Sequence, residues 1–209
     1  MFFILFGERV HSASVDAGEH ACPVCRRMTH FNHIVETNYF CVFGLKLLPL
    51  EKVANYYQCD ECGCPFDYTF TVPTQVPLIR LVLAYVLVGY DMASHTQVAG
   101  EICRKISGFE LDTEALRNDI NGFASGRQQI DRELQHAAMN VNALGAMQVV
   151  QAAFLLTYVC CEIQYEDRLR INRIGTALGV SLQLVQSAIE SIREHHYFGV
   201  HRVLPSRQT

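Results

Sequence analysis

Two cysteine pairs carry the clearest chemistry in the 209-residue chain: Cys22-Pro23-Val24-Cys25 and Cys59-Asp60-Glu61-Cys62, with residues 26–58 between them. Each pair suits a tight knuckle at a hairpin, and two knuckles can close a tetrahedral shell of four thiolates around Zn²⁺, with bonds of about 2.3 Å. The intervening stretch is longer than the commonest spacing and has room for two strands and a turn. Gly63 follows the second pair, where a positive φ is usual, and Arg26 stands in the matching place after the first. One pair can instead be read as a redox dithiol, but nothing nearby resembles a βαβ thioredoxin unit. Disulfides are the third reading, and nine cysteines are an odd number that cannot all pair. We favour the metal. A shell of four cysteines has no open position, so it contributes folding free energy and no catalysis.

The remaining thiols and imidazoles read as secondary. Cys41 lies in an aromatic run and is expected in the core. Cys64 sits two residues past a ligand and could exchange with Cys62. Cys103, Cys160 and Cys161 fall in helical patterns as small buried hydrophobes. His20, His30 and His33 are near the pairs, and the His30-x-x-His33 spacing on a strand or loop is only weak evidence for further ligands.

A second, acidic constellation is weaker. Tyr90-Asp91-Met92 opens a polar turn after an apolar helix, with Glu101 on the next helix. Cys161-Glu162-Ile163-Gln164-Tyr165-Glu166-Asp167 repeats the arrangement. Asp91, Glu101, Glu162, Glu166 and Asp167 could share a hard divalent cation through oxygen. We favour the plainer reading, acids complementing helix N-termini, because no glycine shapes either turn. There is no G-x-S-x-G, P-loop, H-E-x-x-H or glycine-rich dinucleotide turn, and the expectation is a protein without catalytic activity.

The elements that must hold these residues change character near residues 72–77. Before that point lie short aromatic and β-branched runs and turn residues; after it, long helical patterns. The run Phe2–Phe6 reads as a first strand ended by Gly7, and lacks the basic start and cleavage site of a signal peptide. Helical faces follow in Leu78, Leu81, Val82, Tyr85 and Val88, then in Ile102, Ile106 and Phe109. Asp112 caps a helix carrying Leu116, Ile120 and Phe123, and residues 130–142 are amphipathic. Residues 143–162 are apolar nearly all round. Gln148 and Gln151 argue for a buried central helix there rather than a membrane span. Residues 167–178 end at Gly179, and Ser181 caps the last helix. The fold class expected is α+β: a small N-terminal β zinc ribbon, residues 1–72, followed by an all-α bundle, residues 77–197.

With these parts in place, residues 1–68 resemble a family of bacterial zinc-ribbon proteins. The resemblance is carried by Phe2-Phe3-Ile4-Leu5-Phe6-Gly7, Cys22-Pro23-Val24-Cys25, Leu48-Pro49-Leu50 and Tyr56-Tyr57-Gln58-Cys59-Asp60-Glu61-Cys62-Gly63. Residues 78–196 resemble the TerB (tellurite-resistance protein B) helical domain, chiefly through the apolar helix, the acidic turn and Arg170-Ile171-Asn172-Arg173-Ile174-Gly175-Thr176-Ala177-Leu178-Gly179-Val180-Ser181. That family has an internal duplication, and its acidic turns usually read Ala-Asp-Gly and can bind a metal. The turns here keep the acid and lack the glycine. The resemblance implies stress-associated or membrane-proximal interaction work and no enzyme.

Partners are expected to be proteins. Net charge is −4, and Arg26, Arg27, Lys46 and Lys52 are the cations near the cysteines, which argues against nucleic acid. Tyr39 to Leu50 would pack as ribbon core or at a domain interface. The second reading of that stretch is a hairpin tip offering Tyr39, Phe40, Val42, Phe43, Leu45, Leu47 and Leu48 to a membrane surface. Reduced thiols and the lack of a signal or secure span place the chain by default in the cytoplasm.

Overall fold

The computed structural model describes residues 6–88, 92–161 and 163–194, with the backbone alone at 92–94 and 193–194. It is α+β: a four-stranded antiparallel sheet in the order β1-β2-β3-β4, then seven helices among the described residues. Phe2–Leu5 of the expected first strand, Asp91 and Glu162 lie outside the described residues.

The sheet is built from long strands. β1 (Phe6–Cys22), β2 (Arg27–Val42) and β3 (Leu45–Cys59) form two consecutive hairpins, and β4 (Pro65–Phe66) adds a short edge. The strand expected to stop at Gly7 runs on through it, because Gly7 pairs with Cys41 and the ladder continues to Cys22↔Arg27. One bulge interrupts this ladder at Asp16/Gly18, where the Asp16 carboxylate accepts the Gly18 N–H at 2.8 Å. β2 and β3 fill the 26–58 interval as two strands joined by the two-residue turn Phe43-Gly44.

The sheet's core sits at its cysteine end. Phe31 and Phe66 are fully buried, and Phe31 meets Phe66 and Phe70 edge-to-face at centroid distances of 5.4 and 5.0 Å. His20 stacks on Phe70 at 3.8 Å, and Tyr57 meets Phe70 at 5.0 Å. At the other end, by contrast, Phe43, Leu45, Leu47 and Leu48 are exposed, so the core expectation for that run fails at these four residues. Among the described residues, the hairpin tip has no further layer of the sheet against which to bury them.

The chain divides into two compact units. The first takes the chain up to Thr74 together with Ala138–Asn142; the second takes Gln75–Ala137 and the chain from Ala143 on. Within the first, the Asn55 N–H donates to the Met139 carbonyl at 2.6 Å and Asn142 Nδ2 to the Gly63 carbonyl at 2.8 Å. These bonds draw residues 138–142 into the sheet unit, and the amphipathic run read over 130–142 accordingly ends as a helix at Ala138.

The helical unit comprises α1 (Gln75–Leu87), α2 (Met92–Ser107), α3 (Thr113–Ala124), α4 (Ile130–Ala138), α5 (Ala143–Cys160), α6 (Tyr165–Ala177) and α7 (Leu182–Glu194). Helix α1 starts before the expected linker has ended. Pro77 falls in its first turn, where a missing N–H leaves no bond unmade. Asp112 caps α3 by accepting the N–H groups of Glu114 and Ala115 at 3.1 and 2.9 Å. Helix α5 is long and apolar enough to cross a membrane, and in this fold it is the central helix, packed against α1, α2, α6 and α7. Its glutamines are met from within the unit. Gln148 accepts from Gln75 at 2.9 Å and donates to the Ile106 carbonyl at 3.1 Å, and Gln151 reaches Ser191 at 3.5 Å.

Candidate metal centre

The β1–β2 turn and the turn after β3 bring four sulfurs together. The Sγ atoms of Cys22, Cys25, Cys59 and Cys62 all lie within 4.8 Å of one another. Cys22 and Cys62 are 3.8 Å apart, Cys25 and Cys59 3.9 Å. A tetrahedral shell with metal–sulfur arms of about 2.3 Å has sulfur–sulfur edges of about 3.8 Å. Disulfide sulfurs would be about 2.05 Å apart, and all four cysteines are free of disulfides. The donor set therefore fits a soft or borderline divalent ion, and the four residues can hold one.

Register makes this convergence possible. Phe31 pairs with Cys59 and Thr29 with His20, so the hairpin ends carrying the two cysteine pairs are neighbours on adjacent strands. Each knuckle closes on itself in the same way: the Arg26 N–H donates to the Cys22 carbonyl at 2.7 Å, and the Gly63 N–H to the Cys59 carbonyl at 2.9 Å. The Cys25 N–H also points at Cys22 Sγ, 3.4 Å away. Two side-chain links hold the knuckles in place. Arg27 Nε donates to Glu61 at 2.8 Å, and Asn32 Nδ2 donates to Asp60.

Burial divides the four sulfurs into an inner and an outer pair. Cys22 and Cys59 are buried, Cys25 and Cys62 half-buried. Burial pushes the Cys25 thiol up to about 12, helped by its hydrogen bond with Cys22. The Cys62 thiol is also raised, chiefly by burial. Burial acts on Cys59 in the same sense, but the backbone N–H of Cys62, the Thr29 hydroxyl and the backbone N–H of Glu61 outweigh it and bring that thiol down to about 7. The protein's own donors thus stabilise one thiolate in this cluster and leave Cys25 and Cys62 unfavourable as anions. A bound cation would supply the missing compensation.

Thr29 is a member of this site that the cysteine spacing does not reveal. It is 5% exposed, and its hydroxyl lies 3.2 Å from Cys59 Sγ. The alternation Thr29–Phe31 on β2 is its only trace in the sequence, and it becomes informative once the register with β3 is known.

The other candidate ligands go elsewhere. Cys64 offers its carbonyl to the Cys59 N–H at 3.2 Å and its sulfur lies outside the four-sulfur group, while Cys41 is buried far along β2. His20 Nε2 is 3.0 Å from the Ala17 carbonyl, His30 lies 3.9 Å from Glu19, and His33 Nε2 is 2.7 Å from Asn55 Oδ1. Among the described residues, the four cysteines are the group whose ligand atoms are close enough to share an ion. Of the acidic set, Glu101 pairs with Arg104 one turn on, and Glu166 is exposed. Asp167 accepts the Gln164 N–H at 3.0 Å at the start of α6 and lies 3.8 Å from Arg170. Asp91 and Glu162 fall outside the described residues. The chain matches no known protein family, no curated protein and no solved structure.

Proposed function

We propose that the protein is a non-enzymatic zinc-binding adaptor, in which a four-cysteine zinc ribbon is joined to a TerB-like helical bundle that docks a protein partner. The observation that carries the reading is the fit of the four sulfurs, 3.8 and 3.9 Å across two edges, to a thiolate shell for Zn²⁺. Zinc is preferred because four thiolates without an open position form a structural site for an ion with no geometric demand of its own. The ion would then act as a staple for a sheet whose buried aromatic cluster sits at one end. A role in stress response follows the resemblance of the helical half and is part of the same proposal.

The test is a pair of substitutions with two readouts. Cys22→Ser and Cys59→Ser should abolish zinc binding and lower the urea midpoint of the sheet unit, while most of the helical circular-dichroism signal persists. Retained zinc in both variants would contradict the proposal. A substrate turnover lost in Asp91→Asn or Glu162→Gln would contradict the non-enzymatic part.

A further inference from the structure

The end of the sheet opposite the cysteines has features that the metal site does not explain. The β2–β3 ladder runs from Phe31↔Cys59 to Val42↔Leu45, so the Phe43-Gly44 turn projects far from the metal centre, about 50 Å for a strand of β2's length. Phe43 is 63% exposed, Leu45 69%, Leu47 55% and Leu48 61%. Contiguous exposure of this kind marks an interaction surface.

The apex residue is also strained. Phe43 and Gly44 both have positive φ, 50° and 80°. Two-residue hairpin turns of this kind favour Asn, Asp or Gly, and a bulky aromatic at positive φ is a rare choice. Holding Phe43 there has a conformational cost, and the side chain stays mostly exposed.

Charge identifies the occupant. Between Glu36 and Glu51 the only ionisable charge on the hairpin is Lys46, whose Nζ lies 5.5 Å from the centre of the Tyr39 ring. Arg9, paired with Tyr39 on the neighbouring strand, adds a second cation and lines a concavity with Phe6, Gly7, Cys41, Phe43 and Gly44. Glu8, paired with Phe40, accepts from Asn38 Nδ2 at 2.8 Å and keeps its negative charge, so Glu8, Arg9 and Lys46 leave the tip with a net charge of +1. The apolar groups surround the apex. Leu45 and Leu48 follow the Val42–Phe40 face, Phe43 sits on the turn, and Leu47 falls in the bulge between Phe40 and Cys41. A flat protein face would cover only part of this, and a second copy would set Arg9 and Lys46 against their own like.

We propose that the β2–β3 hairpin tip is an anchor for anionic membrane surfaces: Phe43, Leu45, Leu47 and Leu48 enter the boundary between headgroups and acyl chains, and Arg9 and Lys46 lie at the level of the lipid phosphates. The inference rests on the tip alone and is independent of the metal's identity.

The experiment is flotation of the full, metal-loaded chain with phosphatidylcholine vesicles, with and without about 30 mol % phosphatidylglycerol. Phe43→Asn is the informative variant, because asparagine accepts positive φ and the variant should melt no lower than the parent. The parent should float with the anionic vesicles. Phe43→Asn should lower its partitioning at least about tenfold. Lys46→Gln should lower it about fivefold and flatten its salt dependence. Equal flotation of parent and Phe43→Asn, or no flotation of the parent with anionic vesicles, would overturn the proposal. A parent dimer that Phe43→Asn converts to monomer would also overturn it, assigning the tip to a second copy.

Discussion

Arg26 and Gly63 occupy the same place in two matching turns. Each directly follows the second cysteine of its pair, each has positive φ (58° and 69°), and each returns its N–H to the carbonyl of the first cysteine. The two knuckles are therefore one structure made twice, with a glycine in one copy and an arginine in the other. The left-handed conformation costs a side-chain-bearing residue about 1–2 kcal/mol, against about 0.5–1 kcal/mol for the extra chain freedom of glycine. We expect Arg26→Gly to stabilise the metal-loaded protein by up to about 1 kcal/mol and Gly63→Arg to destabilise it by a similar amount. Urea midpoints measured side by side check both, and a loss of stability in Arg26→Gly would contradict the equivalence of the turns.

Thr29 should tune the metal rather than the fold. Thr29→Val keeps shape and β-propensity but removes the hydroxyl that lies 3.2 Å from Cys59 Sγ. Outer partners of metal ligands typically contribute 10–100-fold in affinity. A competition titration with a chromophoric chelator should show a loss of about tenfold, with the secondary structure unchanged. Unaltered affinity would remove Thr29 from the site.

The two cysteine pairs were legible from spacing alone, and so was the pair of strands between them. Helix positions were legible where apolar periodicity was strong or a cap was present, as at Asp112 and Gly179. Three things were hidden. The continuation of β1 through Gly7 depends on its long ladder with β2, and tertiary pairing overrides a local turn signal. The role of Thr29 depends on register. The exposure of Phe43 and its neighbours depends on how far the hairpin projects past its core. An apolar run in a sequence looks the same whether it is buried within the fold or offered to something outside it.

Stripped of metal by a chelator, the sheet unit should show a stability maximum near pH 9. Cys59 is held at about 7, below the ordinary thiol value of 9.0, so its contribution is complete above pH 9 and is lost as pH falls through 7. Cys25, at about 12, and Cys62, also raised, act in the opposite sense: their contribution is complete below pH 9 and lost as pH rises toward 12. Urea midpoints at pH 7, 9 and 11 should peak at the middle value; a steady rise to pH 11 would contradict this assignment.

Gly175 sets the approach of α6 to α7. A Cβ built on it would lie 2.3 Å from Val185 Cγ2 and 3.4 Å from Val180 Cγ2. The stiff, β-branched Val185 has little room to yield, so Gly175→Ala should destabilise the helical unit by about 1–3 kcal/mol. Pairing it with Val185→Ala should restore part of the loss, and a double-mutant cycle measures the coupling. Additive losses would place the contact elsewhere.

The central claim is that Cys22, Cys25, Cys59 and Cys62 together hold one zinc ion. Elemental analysis of freshly purified protein tests it most directly, measured beside Cys59→Ser. One zinc per parent chain is expected, and none in the variant. Parent protein without zinc, or zinc content unchanged by Cys59→Ser, would contradict it.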